Sequence, residues 1–166
     1  MITQERLKEV LHYNPDTGIF TWKVKKALRV KVGDIAGTFN EWGYSKIEID
    51  YKVYNTSKLA YLYMTGIMPE RIGHIDRDPS NYKWNNLREV TKYEDSWNRK
   101  LASNNTSNVK GLSINKRASG TKRWMCKIGK YGKTYFKYFK LEEKEKAIEW
   151  LKEKREELHG EFANHG

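Results

Sequence analysis

The chain has 166 residues, of which 38% are apolar and 32% charged, and its formal net charge is +11. That balance describes one folded domain or two small ones and excludes both a disordered chain and a large enzyme interior. No stretch approaches the roughly 20 apolar residues of a membrane-spanning helix, and the opening Met1-Ile2-Thr3-Gln4-Glu5-Arg6 lacks the basic-then-apolar order of a secretory signal. A single cysteine, Cys126, excludes a disulfide framework and a cysteine-built zinc site, and suits a reducing compartment.

Thr3 to His12 predicts a short helix, with Thr3 as its cap and Leu7, Val10 and Leu11 at helical spacing. Asn14-Pro15-Asp16-Thr17-Gly18 is a turn, and Ile19 opens a strand. Ser45 to Tyr54 alternates apolar and polar residues on either side of Asp50-Tyr51, the pattern of a hairpin. Ser57 to Met64 predicts a helix with Leu59, Leu62 and Tyr63 on its apolar face, stopped by Gly66. Ile72 to Leu87 gives mixed signals. Glu94 to Leu101 predicts a helix that runs into the polar segment Ser103 to Asn108, the best linker in the chain.

Beyond the linker, Gly111–Lys116, Arg123–Gly129 and Lys133–Phe139 predict three strands, separated by turns at Ala118-Ser119-Gly120 and Lys130-Tyr131-Gly132. In the middle strand Trp124, Cys126 and Ile128 share one face, and Arg123, Met125 and Lys127 share the other. Glu142 to Leu158 predicts a helix ended by Gly160, with Ala147, Leu151 and Leu158 as its seam and Ile148 and Trp150 widening it. One sheet face is then covered by the helix, with Trp124 packed beneath it, and the other is bare and cationic.

Charge is unevenly placed. Residues 101–140 hold ten Lys and Arg and no Asp or Glu. Such a segment is costly in self-repulsion unless it meets an anionic partner. Its interleaved Trp124, Tyr131, Tyr135, Phe136, Tyr138 and Phe139 allow it to fold, which favours a nucleic-acid surface over a tail. A membrane partner is disfavoured, because no basic amphipathic helix accompanies the charge.

Two stretches resemble known families. Gly111 to Gly160, with Asn104-Asn105-Thr106-Ser107 before it and Leu158-His159-Gly160-Glu161-Phe162-Ala163 at its end, resembles the apetala-type DNA-binding domain at the C-terminus of many phage homing endonucleases. Residues 1 to about 100 resemble the HNH nuclease half of the same proteins. That likeness lies in Tyr13-Asn14-Pro15-Asp16-Thr17-Gly18, in Leu59-Ala60-Tyr61-Leu62-Tyr63-Met64-Thr65-Gly66 and in Asn85-Asn86-Leu87-Arg88-Glu89-Val90-Thr91.

The resemblance implies an α+β fold. An N-terminal HNH (ββα-metal) domain would occupy 1–101, followed by a linker at 102–108. A small three-stranded antiparallel sheet packed on one helix would occupy 109–166. It implies double-stranded DNA as partner, the cytoplasm of a phage-infected host as location, and phosphodiester cleavage with Mg²⁺ or Mn²⁺ as cofactor.

Mapped onto this chain, the resemblance makes His74 the general base and Asn86 a metal ligand, and puts Tyr82 at the position of the middle asparagine, with Asn81 next to it. Gly73 stands where the family has a metal-binding aspartate, and Ser57 where an earlier histidine is common. Asp76 or Asp78 is a substitute ligand in one reading; in the other, Arg77-Asp78-Pro79-Ser80 is a polar turn that Asp78 starts. Loss of a charged ligand predicts reduced cleavage. The alternative is an inactive relative acting as a DNA-binding regulator, or as an inhibitor of another DNA-handling protein through a protein contact. For DNA, strand alternation selects Arg123, Lys127 and Lys137 on the sheet face, and strand ends and turns add Lys110, Arg117 and Lys122.

Overall fold

A computed structural model describes residues 2–27, 29–99 and 101–166. The protein is a mixed α and β chain, and among the described residues its strands form four small antiparallel sheets. It divides into two units, Met1–Thr91 and Lys92–Gly166. No helix among the described residues is long and apolar enough to cross a membrane.

The first unit opens with α1 (Gln4–Val10), whose cap Thr3 accepts the Arg6 backbone N–H. The expected helix to His12 stops short, because Leu11 and His12 enter strand β1 (Leu11–Asn14), which pairs with β2 (Ile19–Trp22) across the Asn14–Gly18 turn. Strands β3 (Thr38–Phe39), β4 (Ser45–Ile49) and β5 (Lys52–Asn55) form a second sheet, whose β4–β5 hairpin turns at Asp50-Tyr51 with positive φ at both. Helix α2 (Thr56–Thr65) ends at Gly66 in the left-handed conformation. Strands β6 (Ile72–His74) and β7 (Leu87–Glu89) pair antiparallel, and so resolve the segment of mixed signals. Leu7, Leu11, Phe20, Ile47 and Leu59 sit at the centre of one shared core.

The second unit begins with α3 (Lys92–Trp97), ten residues before the hinge expected from the polar run. Side chains decide this placement. The Trp97 ring stacks on His159 at 4.4 Å, and the Asn164 amide donates to the carbonyls of Asn98 and Arg99. Of the expected helix to Leu101, residue 100 lies outside the described residues and Asn98 has already left the helix. Strands β8 (Leu112–Lys116), β9 (Lys122–Lys130) and β10 (Lys133–Phe139) form an antiparallel sheet with β9 in the middle. Helix α4 (Lys144–His159) packs on it through Ala147 and Leu151, against Leu112 and Cys126, as its seam predicts.

Candidate functional site

The residues selected from the HNH resemblance come together around the loop that joins β6 to β7. The pairing of His74 with Leu87 and the bond from the Ile75 N–H to the Asn86 carbonyl fix the ends of that loop. His74 is 9% exposed, and its ring meets the Tyr82 ring edge-on at 5.5 Å. Burial lowers its pKa from the usual 6.5, although the negative charges of Asp76 and Asp78 oppose the shift. The imidazole is therefore neutral near pH 7 and can accept a proton.

Asp76 is the hub of the loop. Its Oδ1 accepts the Asp78 N–H and the Asn86 amide, each at 2.9 Å, and its Oδ2 accepts the Asn81 amide at 2.6 Å. Partial burial alone would raise its pKa, but these bonds outweigh that, so the carboxyl stays below its ordinary value. Asp78 repeats the pattern by accepting both the N–H and the hydroxyl of Ser80. Consecutive Asx turns of this kind are what Asp-x-Asp-x-Ser encodes. Asp76 thus joins the polar turn as well as the site, and Arg77 between the two carboxylates takes a left-handed conformation with φ 66°.

Asn86 is buried and fully engaged. Its Oδ1 accepts the Asp76 N–H at 3.0 Å, and its Nδ2 donates to Asp76 and to the Asn81 carbonyl. Asn81 therefore matters as much as the residue beside it; the signal in the sequence was its place one step from the middle asparagine position. Tyr82 itself points inward. Its hydroxyl accepts the Ser45 N–H at 2.5 Å, and its carbonyl accepts the Tyr13 hydroxyl at 2.6 Å. Burial raises the phenol's pKa, which keeps it neutral.

These donors do not fit Mg²⁺ or Mn²⁺ as placed. An octahedral ion takes several oxygens converging on one point. Here the Asn86 amide and the Asp76 carboxylate face each other, and their oxygens hold the loop together. Among the described residues, no three His, Cys, Asp or Glu side chains are grouped to hold an ion. Gly73 explains part of this. A Cβ built there lies 2.9 Å from Cγ1 of Val90, so buried valine occupies the space into which a residue-73 side chain would grow.

The second unit carries the residues selected for DNA contact. Strand register puts Arg123 opposite Asn115, Met125 between Ser113 and Tyr138, and Lys127 opposite Phe136. These eight positions, Thr134 included, form the face turned away from α4. Phe136 and Tyr138 on it are about half exposed, at 51% and 48%. Lys127 reaches over Phe136, with its ammonium 5.9 Å from the ring centre.

One expectation about this face needs correction, while Lys122 and Lys110 stand at a strand end and in the turn before β8, as expected. Lys137 pairs with Cys126, so it stands on the helix side, with its ammonium 5.6 Å from the Trp150 ring centre. Lys122 pairs with Lys116, in phase with Trp124 and Ile114 on that same side. Lys110 donates to the carbonyls of Trp97 and Arg99, closing the end of α3. Alternation within one strand cannot reveal the offset between strands, and that offset moved Lys137 across the sheet. Arg117 lies exposed in the β8–β9 turn, as expected. The outer face is thus cationic and aromatic together, with two strand-borne cations. Trp124 packs beneath the helix region as its phase predicts, its Nε1 donating to the Leu141 carbonyl.

Residues 54–96 match the family model described as HNH endonuclease. The chain is also 37% identical, over 92 residues, to Protein 3.8 of Escherichia phage T7; the matched region is 55% of this chain and 72% of that relative. No solved structure matches the chain.

Proposed function

Because the chain belongs to the family of phage T7 Protein 3.8 and carries an HNH endonuclease segment, we propose that it is a duplex-DNA-binding protein of phage HNH homing-endonuclease type whose phosphodiester cleavage is weak. The observation that carries the DNA reading is the outer face of β8–β9–β10, where Arg123 and Lys127 stand among exposed Phe136 and Tyr138. No carboxylate occurs anywhere in residues 101–140 to offset its charge. An apetala-type role for this sheet, laid against duplex DNA, agrees with that face. Arg123 is the side chain suited to a bidentate contact with a guanine edge, and Arg117 to a backbone phosphate.

In the nuclease half, His74 acts as the base. Its buried neutral imidazole takes a proton from the attacking water, and Asp76 beside it stabilises the imidazolium that results. Tyr82 and Asn86 position these two groups. Weak cleavage follows from the loop oxygens' mutual bonds and from Val90 filling the space beside Gly73. That same packing favours, as second reading, an inactive relative that binds DNA as a regulator or inhibits another DNA-handling protein.

The deciding experiment incubates the full chain with supercoiled plasmid, with and without Mn²⁺, beside His74→Ala. Slow Mn²⁺-dependent nicking that His74→Ala abolishes supports the nuclease reading. Brisk cutting that survives His74→Ala overturns it, and no cutting with intact, salt-sensitive duplex binding selects the regulator.

A further inference from the structure

The second unit has a cavity of about 360 Å³ that neither reading above uses. It lies among α3, the β9–β10 turn and α4, and no Asp or Glu among the described residues lines it. Arg155 stands in its wall and is only 3% exposed. The guanidinium donates to the Lys110 carbonyl at 2.6 Å and meets Nδ1 of His165 at 3.1 Å. No carboxylate among the described residues pairs with it, and burial depresses its pKa. A buried cation without a counter-ion is destabilising, and an anion entering the cavity would relieve it. Lys130 and Lys133 line the same space.

Aromatic rings form another part of the wall. Trp97 stacks flat on His159, and Tyr131 meets Trp97 edge-on at 5.2 Å while remaining 57% exposed. His159 Nε2 lies 2.8 Å from the Gly129 carbonyl, so it carries the proton and donates. Nδ1 is then a lone-pair acceptor, buried and without a hydrogen-bond partner. Uncompensated positive charge and an exposed ring together complement a phosphate attached to a nitrogenous base.

We propose that this cavity binds one nucleotide through its phosphate monoester, either as the free compound or as the phosphorylated end of a strand. The phosphate meets Arg155, Lys130 and Lys133, and the base lies against Tyr131. The proposed contacts use none of the outer face's Arg123, Phe136 and Tyr138, although Lys127 and Thr134 also line the cavity, and the site stands whether or not that face binds duplex DNA.

The test is calorimetric titration of the full chain with adenosine 5′-monophosphate, adenosine, and single-stranded pentamers bearing a 5′-phosphate or a 5′-hydroxyl. Lys133→Glu and Tyr131→Ala alter exposed positions, and Arg123→Ala on the outer face serves as control. The monophosphate should bind about tenfold more tightly than adenosine, the value of one charge-assisted contact. Lys133→Glu should weaken it by a similar factor, Tyr131→Ala should weaken it, and Arg123→Ala should leave it unchanged. A phosphorylated pentamer that binds above the monophosphate assigns the strand end; equal or weaker binding assigns the free nucleotide. Absence of binding, equal affinity for adenosine, or indifference to Lys133→Glu overturns the proposal. Duplex binding measured on the same samples separates this failure from failure of the sheet reading.

Discussion

Replacing Gly73 by aspartate restores the residue type that the HNH resemblance expects, and the structure predicts that this change alone destabilises the first unit. The new Cβ would sit 2.9 Å from Cγ1 and 3.5 Å from Cγ2 of Val90, where carbon atoms prefer about 3.5–4.0 Å. Overpacking of this kind costs about 1–3 kcal/mol. Burying a polar group beside valine adds about 1–3 kcal/mol. Val90→Ala alone removes two methyl groups, costing about 1.6 kcal/mol, yet it also removes both atoms of the clash. The double variant should therefore be more stable than the sum of the singles by about 1–2 kcal/mol. Urea unfolding of the wild type, both singles and the double, compared at constant m-value, measures this coupling. Additivity within about 0.5 kcal/mol would refute the account of why glycine stands at this position.

Three further outcomes are expected. Tyr82→Phe leaves the N–H of Ser45, itself 4% exposed, without its acceptor, and should cost about 1–3 kcal/mol in the same unfolding assay; an unchanged midpoint would return Tyr82 to a purely catalytic role. The pKa of His74 lies below 6.5 in the folded state, so the unfolded chain binds more protons between 6.5 and the folded value; stability is fully present above pH 6.5 and falls as pH drops through that window. His74→Gln should flatten this part of a urea-midpoint profile. For duplex DNA, Arg123→Ala and Lys127→Ala should each reduce the slope of log affinity against log salt by about one, while Lys137→Ala leaves it unchanged; an equal effect from Lys137 would contradict the β9–β10 register.

Much of the architecture was legible because its signals are local. The β4–β5 hairpin, α2, and the three C-terminal strands with α4 follow from periodicity, turn residues and, for the two helices, a glycine at the stop. The constellation of His74, Asp76, Tyr82 and Asn86 was legible through family likeness, and the structure brings all four together. What stayed hidden depends on partners distant in the sequence. Alternation put Lys127 and Lys137 on one face, but pairing of Lys137 with Cys126 separates them. The polar run at 103–108 concealed that α3 belongs to the second unit, since Trp97 and His159 lie 62 positions apart. Arg155, charged in the middle of a helix, gave no hint that it is buried.

The recognisable HNH stretch begins at residue 54, but the shape of its loop is set from much nearer the N-terminus. Tyr13 bonds to the Tyr82 carbonyl, the Trp84 N–H donates to the Pro15 carbonyl, and Gly18 lies so close to the Tyr82 backbone that a Cβ there would overlap its carbonyl carbon. A fragment cut to the boundaries of the motif would take the sequence signature and leave its mould behind. Gene truncations, domain grafts or evolutionary fusions that keep a working pocket must carry the leading hairpin with them, and those that drop it should yield a chain that still reads as HNH but no longer presents His74.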